Sequence, residues 1–379
     1  MEHLFLTASF LASLAVNAAS LFARRSAVGR IVVFKLDHLG DLVTAAPAVS
    51  ELRLRFPGAE ITLVVGSWCE DLAREGLEHD LLAVYDSAAY ARGAQPGPRS
   101  LGRLRAALPR GRFDLAFGLR DDAATLLFCL FGGAARRRDR GSVRVAHAWE
   151  RAAARISGRS VPVLHEIDTN LRIVGARVGG RPPVPALHVR AELRRWARDH
   201  VLAAWGDERP VVVHPGASWQ HRQWPAERSA ELVRRIVLDR GAPVVVTGSA
   251  AERELAERVA LAHPRCRVLA GEPGIAQMMG LLSESRLYVG PDTGIMHIAV
   301  GVGTPVVALF GPNDPARFGP VGPRDVALTA KLECAPCPQR HCPRGGLCML
   351  TIGVDDVIAA VARVLDGPAA AEGAGGGAP

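Results

Sequence analysis

Four stretches of this sequence hold residue types that can do chemistry together. The first is Lys35-Leu36-Asp37-His38-Leu39-Gly40-Asp41. Gly40 would permit a tight turn and the close approach of a ligand. Asp41 stands where a helix should begin, near Leu42. Its carboxylate can accept a backbone N–H as an N-cap, typically about 1 kcal/mol of helix stability, or it can act as a general base. The second stretch is His214-Pro215-Gly216-Ala217-Ser218-Trp219, followed by Arg222-Gln223-Trp224-Pro225. Gly216 and Ser218 offer backbone and hydroxyl donors. Arg222 offers a forked cation suited to phosphate, or is a solvated surface arginine. The third is Gly290-Pro291-Asp292-Thr293-Gly294-Ile295-Met296-His297, which should open a helix. The first-turn N–H groups of such a helix lack intrahelical partners and carry the positive end of its dipole. That makes an anion site suited to a diphosphate. Thr293 adds a hydroxyl, and His297 lies one turn along the same face. Asp292 suits neutral hydroxyls, such as those of a sugar, better than it suits phosphate. The plainer alternatives are Asp292 as an N-cap and His297 as a satisfied core histidine. The fourth stretch is C-x2-C-x4-C-x5-C, formed by Cys334, Cys337, Cys342 and Cys348. Four such thiols could hold one Zn²⁺ tetrahedrally, form two disulfides or remain free.

These stretches need elements to position them. From Arg30 onward, short β-branched runs alternate with helical stretches. Strands are expected at residues 31–35, 61–65, 82–86 and 114–118. After a less regular middle they are expected at 211–214, 244–247, 267–269, 287–289 and 306–310. Such runs suit buried parallel strands, and their alternation with helices implies a parallel sheet covered on both faces. The pattern occurs twice, so two doubly wound domains are expected. The boundary falls near Gly179-Gly180-Arg181-Pro182-Pro183-Val184-Pro185, giving domains at 28–185 and 186–366. The first three stretches each follow a strand, where ligands of such sheets bind. No G-x-G-x-x-G or Walker A motif is present, which argues against a nicotinamide enzyme or a P-loop NTPase. The basic run Arg136-Arg137-Arg138 with Arg140 reads as a solvated loop.

At the chain ends, Leu4 to Ala23 carries no charge and is followed by Arg24-Arg25. Its length is near the ~20 residues that span a bilayer, but Ser9, Ser13, Asn17 and Ser20 share one helix face. An apolar helix over 1–27 is expected, either lying on a membrane surface or packed on its own domain. Residues 367–379, rich in Gly, Ala and Pro, should form a disordered tail. The net charge of +8 favours anionic partners. Nucleic acid is not expected, because the arginines are dispersed and no recognition motif accompanies them. Isolated Cys69, Cys129 and Cys266 read as small core residues and suit a reducing compartment.

Taken in order, x-Leu-Gly-Asp near the start, His-Pro-Gly-Ala…Trp-Pro, Asp-Thr-Gly-x-x-His and Thr-Pro-Val-Val-Ala-Leu-Phe-Gly-Pro-x-Asp-Pro resemble glycosyltransferase family 9, the ADP-heptose:lipopolysaccharide heptosyltransferases. The resemblance covers roughly residues 30–365. Cys334-Ala335-Pro336-Cys337 through Cys342, Cys348 and Met349 looks like the cysteine cluster of the heptosyltransferase II type. The resemblance implies an α/β GT-B fold, with two Rossmann-like parallel-sheet domains facing across a cleft, and an inverting glycosyl transfer that requires no metal cofactor. It makes Asp41 the general base beside Gly40 of the acceptor-side loop. It puts Arg222 where the family has a phosphate-binding cation, and Ser218 near the donor phosphates. Glu252 falls where a carboxylate holds ribose hydroxyls, and Asp292, Thr293, Gly294 and His297 match the donor sugar and diphosphate site. The implied partners are ADP-heptose and a lipid-linked anionic glycan acceptor. The implied location is cytoplasmic, peripheral on the inner-membrane face. A transferase for another nucleotide sugar, a related sugar-nucleotide epimerase and a non-catalytic nucleotide-sugar or glycolipid binder are the competing readings.

Overall fold

The computed structural model describes residues 28–90, 100–157, 161, 163–337, 342 and 344–367. The helix expected over 1–27 and the tail expected over 367–379, apart from Gly367, lie outside them. The chain divides between Leu187 and His188 into two compact units.

In chain order the first unit holds β1 (Arg30–Lys35), α1 (Leu39–Arg55), β2 (Glu60–Val65), α2 (Glu70–Gly76), β3 (Leu81–Val84), α3 (Ser100–Ala107), β4 (Phe113–Gly118), α4 (Ala123–Phe128), β5 (Ala134–Asp139), α5 (Arg140–Ile156) and α6 (Glu166–Val174). The strands pair in parallel in the order β3-β2-β1-β4-β5. After their first residue, β1 and β2 are buried throughout, as strands covered on both faces must be. Val32, Phe34, Val64 and Phe113 join Leu104, Leu108 and Phe128 in one core cluster under α3 and α4. Each such side chain, fully buried, stabilises by roughly 1.5–3 kcal/mol.

The run Arg136-Arg137-Arg138, expected as a solvated loop, is the middle of β5. It pairs only with β4 at the sheet edge, where charged side chains are tolerated and guard against stray pairing. Gly175, at φ +84°, ends α6 in the left-handed conformation that favours glycine.

The second unit holds α7 (Ala191–Ala197), β6 (Val211–Val213), α8 (Ala226–Arg240), β7 (Val244–Gly248), α9 (Arg253–Ala260), β8 (Cys266–Ala270), α10 (Ile275–Ser283), β9 (Leu287–Pro291), α11 (Gly294–Gly301), β10 (Val306–Phe310), α12 (Pro315–Phe318), β11 (Val326–Thr329), α13 (Leu347–Leu350) and α14 (Val354–Asp366). Its parallel order is β11-β10-β9-β6-β7-β8. One face packs Val211, Val244, Val246, Val289 and Leu309 against Val233 and Ile236 of α8 and Val357 and Val361 of α14. Trp224 belongs to this cluster, and its indole N–H donates to the Ile352 carbonyl at 3.0 Å. Edge strand β11 was not expected from the sequence.

Both sheets reverse direction of growth beside their first strand. β1 pairs with β2 on one side and β4 on the other. β6 likewise lies between β7 and β9. The crevice beyond the carboxyl ends at such a switch point is the usual ligand site. The loops after β1, β6 and β9 are three of the stretches singled out by their chemistry.

Candidate active site

In the first unit, α1 begins earlier than expected. Its N-cap is His38, with no side-chain cap bond, and Asp41 lies in the first turn rather than at the cap. The capping role therefore does not account for Asp41. Its carboxylate is half-buried and, among the described residues, makes no hydrogen bond or ion pair. Gly40 is buried inside the same first turn and has no positive φ, so its role is not a turn.

Beneath Asp41 lies a network that sequence reasoning missed. Lys35 is fully buried, and its ammonium donates to Asp37 Oδ2 at 3.1 Å. Arg120, just after β4, approaches the same oxygen at 3.6 Å. Asp37 Oδ1 is buried with no partner. Burial pushes the Asp37 carboxyl up to about 6 against the pull of Lys35; the Asp41 charge adds to the rise and Arg120 opposes it. The Asp37 carbonyl accepts from the Trp68 indole, which pins the loop to the turn after β2. A buried lysine at the end of an apolar strand reads as the strand's polar boundary, so nothing in the sequence marked this pair.

In the second unit, the loops after β6, β9 and β10 carry a connected chain of polar groups. Asp292 follows β9, its side chain mostly covered. Its Oδ2 accepts from the Asn313 amide, and its Oδ1 lies 3.5 Å from His297 Nε2. Asn313 Oδ1 in turn accepts from Arg222 Nη2 at 3.1 Å. Burial alone would raise the Asp292 carboxyl; the hydrogen bond and charge of His297, then Asn313 and Arg222, outweigh it and hold the group below the usual range. The N-cap of α11 is Thr293, not Asp292. The N–H groups at Gly294, Ile295 and Met296 thus open the helix beside this chain. Arg222 lies with its guanidinium 5.0 Å from the Trp219 ring, and its Nε is buried without a partner.

His214 and Glu252 form a second polar group in the same unit. His214 Nδ1 is 3.1 Å from Thr247 Oγ1, and its ring stacks on Tyr288, whose hydroxyl is 3.4 Å from Thr293 Oγ1. Burial pushes the His214 imidazole below its ordinary value, against the charge of Glu252. Glu252 Oε2 accepts from the Ser249 N–H and hydroxyl, both at 2.8 Å, closing a capping box. A Cβ at Gly216 would collide with the Glu252 carboxylate, so the glycine lets the two meet. Ser218 is exposed and has no hydrogen-bond partner among the described residues; the structure does not join it to Arg222 or Asp292. Asn313 was missed because its turn carried no candidate role of its own.

Cys334, Cys337, Cys342 and Cys348 line one pocket of about 20 Å³ with His221. They carry free thiols. Among the described residues no group of three or more His, Cys, Asp or Glu side chains could hold a metal ion. The cysteines back the turn after β10: Cys337 N donates to the Pro312 carbonyl at 2.6 Å, and Gly311 packs on Met349 and Cys348.

Residues 103–347 match the domain described as Glycosyltransferase family 9 (heptosyltransferase). Lipopolysaccharide heptosyltransferase 1 of Pseudomonas aeruginosa is 37% identical over 133 residues, which is 35% of this chain and 37% of that protein. Lipopolysaccharide heptosyltransferase 2 of Escherichia coli K12 is 26% identical over 309 residues, 76% of this chain and 84% of that one. The solved structure of the E. coli ADP-heptose lipopolysaccharide heptosyltransferase II matches with a TM-score of 0.65 at 22% identity, over 89% of this chain and 98% of the other. That likeness shows the shared fold, the GT-B class of two parallel-sheet α/β domains. The chain belongs to glycosyltransferase family 9, the heptosyltransferases.

Proposed function

We propose that the protein transfers a heptose from ADP-heptose to a hydroxyl of a lipopolysaccharide-core acceptor, with inversion at the anomeric carbon and without a catalytic metal. The observation that carries the reading is the Asp41 carboxylate, half-buried in the first turn after the central strand and without a hydrogen bond or ion pair among the described residues. A carboxylate used only to cap a helix would be bonded to a backbone N–H. A general base must instead be free to take the acceptor's proton as the oxygen attacks. The family relationship supports the donor and acceptor classes, since the relatives named above act on lipopolysaccharide and one is titled for ADP-heptose.

In this mechanism Asp41 accepts the acceptor hydroxyl's proton. The leaving ADP gains negative charge, which Arg222 and the N-terminus of α11 stabilise in place of a divalent cation. Asp292 accepts from sugar hydroxyls, held in place by Asn313 and His297. Glu252 holds the ribose, and Thr293 contributes its hydroxyl to the diphosphate. The lipid-borne acceptor makes the cytoplasmic face of the inner membrane the working surface.

Replacing Asp41 with Asn should lower kcat by about 10²–10⁴, the usual worth of a positioned base, while ADP affinity by calorimetry stays near wild type. Unchanged turnover would remove Asp41 from the chemistry. A parallel series of thermal unfolding with ADP, UDP, GDP and CDP should show a selective rise with ADP; a rise with another nucleotide alone would replace the donor.

A further inference from the structure

The first unit carries a cationic cavity that the proposed mechanism does not use. Its volume is about 520 Å³, and its lining includes Val28, Arg55, Phe56, Arg136, Arg138 and Val174. No carboxylate lines it. Val28 precedes β1 and Phe56 follows α1, so the cavity sits at the opposite end of β1 from Asp37 and Asp41.

The arginines converge there in a way that packing alone does not require. Arg55 Nη1 donates to the Val174 carbonyl at 2.9 Å, and Arg138 Nη2 to the Arg172 carbonyl at 3.3 Å. Both guanidiniums thus lie at the end of α6, where a Cβ on Gly175 would press on Arg138 Nη1 and Arg55 Nη1 at 2.5 and 3.0 Å. Partial burial and then the Arg55 charge hold the Arg138 guanidinium below its ordinary value. Glu51 pairs with Arg55 at 2.6 Å, but Arg138 has no carboxylate partner among the described residues. The Arg136 side chain makes no hydrogen bond or ion pair among them. The intervening Arg137 also lines the cavity and pairs with Asp139 at 3.0 Å. Two cations crowd each other and a third stands unpaired, around an open space that no carboxylate lines.

We propose that this cavity binds the phosphate group of an anionic lipid headgroup. The chemistry is that of guanidinium forks on a phosphate's oxygens. The lipid source follows from where the chain enters: Val28 lines the cavity, and the sequence before it is the uncharged run Leu4 to Ala23 closed by Arg24-Arg25. An apolar run held at a bilayer would keep the cavity within a few residues of the headgroups. The inference deepens the membrane part of the proposed function, and its test involves no transfer reaction, so the two can fail separately.

The test is co-sedimentation of the full chain with vesicles of phosphatidylcholine alone and of phosphatidylcholine mixed with phosphatidylglycerol. Wild type should gain binding with phosphatidylglycerol. The double variant Arg136→Gln/Arg138→Gln should lose about thirtyfold of that gain, roughly fivefold per arginine. Arg136→Lys/Arg138→Lys should keep most of it. The charge-matched control Arg234→Gln/Arg258→Gln, at exposed sites on α8 and α9, should keep it too. Arg136→Gln alone breaks no hydrogen bond and gives the fivefold loss even if the double variant fails to fold. The proposal falls if wild type shows no phosphatidylglycerol dependence, if the double variant keeps its gain, or if the control loses as much. It also falls in favour of a soluble ligand if inorganic phosphate at the headgroup concentration releases wild type from the vesicles.

Discussion

Two largely buried aspartates stand at the switch points of the two sheets, and their carboxyls are pushed in opposite directions. Asp37 follows β1 and Asp292 follows β9. Asp37 is buried and the Asp292 side chain is about a tenth exposed, so desolvation raises both. Asp292 has a partner on each oxygen, Asn313 on one and His297 on the other, and Arg222 stands behind Asn313. Those partners win, and the carboxyl is held low. Asp37 has Lys35 on one oxygen and nothing on the other, and Asp41 adds a like charge. There burial wins, and the carboxyl rises to about 6. Complete pairing fixes a charge, whereas one orphaned oxygen beside a second carboxylate leaves a group that titrates near neutrality. The second unit thus holds a settled carboxylate, and the first holds a labile one beneath the proposed base.

The comparison can be broken most forcefully at Asp292. Asp292→Asn removes the charge that His297, Asn313 and Arg222 hold in place, an expected loss of about 1–3 kcal/mol in denaturant unfolding at neutral pH. Asp37→Asn should cost less at that pH, because burial already outweighs the pull of Lys35 on that carboxylate. Equal losses would erase the distinction between the two sites.

A smaller effect is expected on the donor side. Arg222→Ala removes a charged hydrogen-bond donor and should weaken ADP binding by roughly ten- to a hundredfold, measured by calorimetry. Normal ADP affinity would take Arg222 out of the proposed phosphate site and leave Asn313 as an isolated support for Asp292.

The finest discrimination is in the pH dependence of stability. Asp37 holds its proton more tightly folded than unfolded, so its contribution is full below its ordinary value of 3.8 and is lost as pH rises through about 6. Asp292 is the reverse: its contribution is present above 3.8 and disappears as pH falls through its lower folded value. Unfolding curves across this range should lose the slope between pH 4 and 6 in Asp37→Asn and the acid-side slope in Asp292→Asn. Identical profiles for the two variants would show that both carboxyls feel the same environment.

Most of the fold was readable because central parallel strands are continuous apolar runs. Val32-Val33-Phe34, Val211-Val212-Val213 and Val306-Val307-Ala308 announce themselves. Edge strands do not: Ala134–Asp139 is half arginine because only one side of it is paired, and its charge disguised it as a loop. The start of α1 was displaced for a related reason. His38 lacks a capping bond, so residue preferences pointed to Asp41, three positions later. Asp292 and His297 were visible as a pair one turn apart. Asn313, which joins Asp292 to Arg222, comes from a turn 21 residues onward and could be found only by folding the chain. Lys35 and Asp37 were hidden because nothing in one sequence says that an end-of-strand lysine turns inward.

The C-terminal helix α14 has a consequence for how the protein is made. Val357, Val361 and Val364 complete the same core as Val211 and Val244, whereas the first unit is complete by Leu187. On the ribosome the first unit can close while the second is still being synthesised. The second must hold its valine-rich sheet uncovered until the final turns emerge. A stall or premature stop before Val354 would therefore yield a finished N-terminal unit tethered to an adhesive, half-built sheet, a substrate for chaperones and proteases rather than a partly active enzyme.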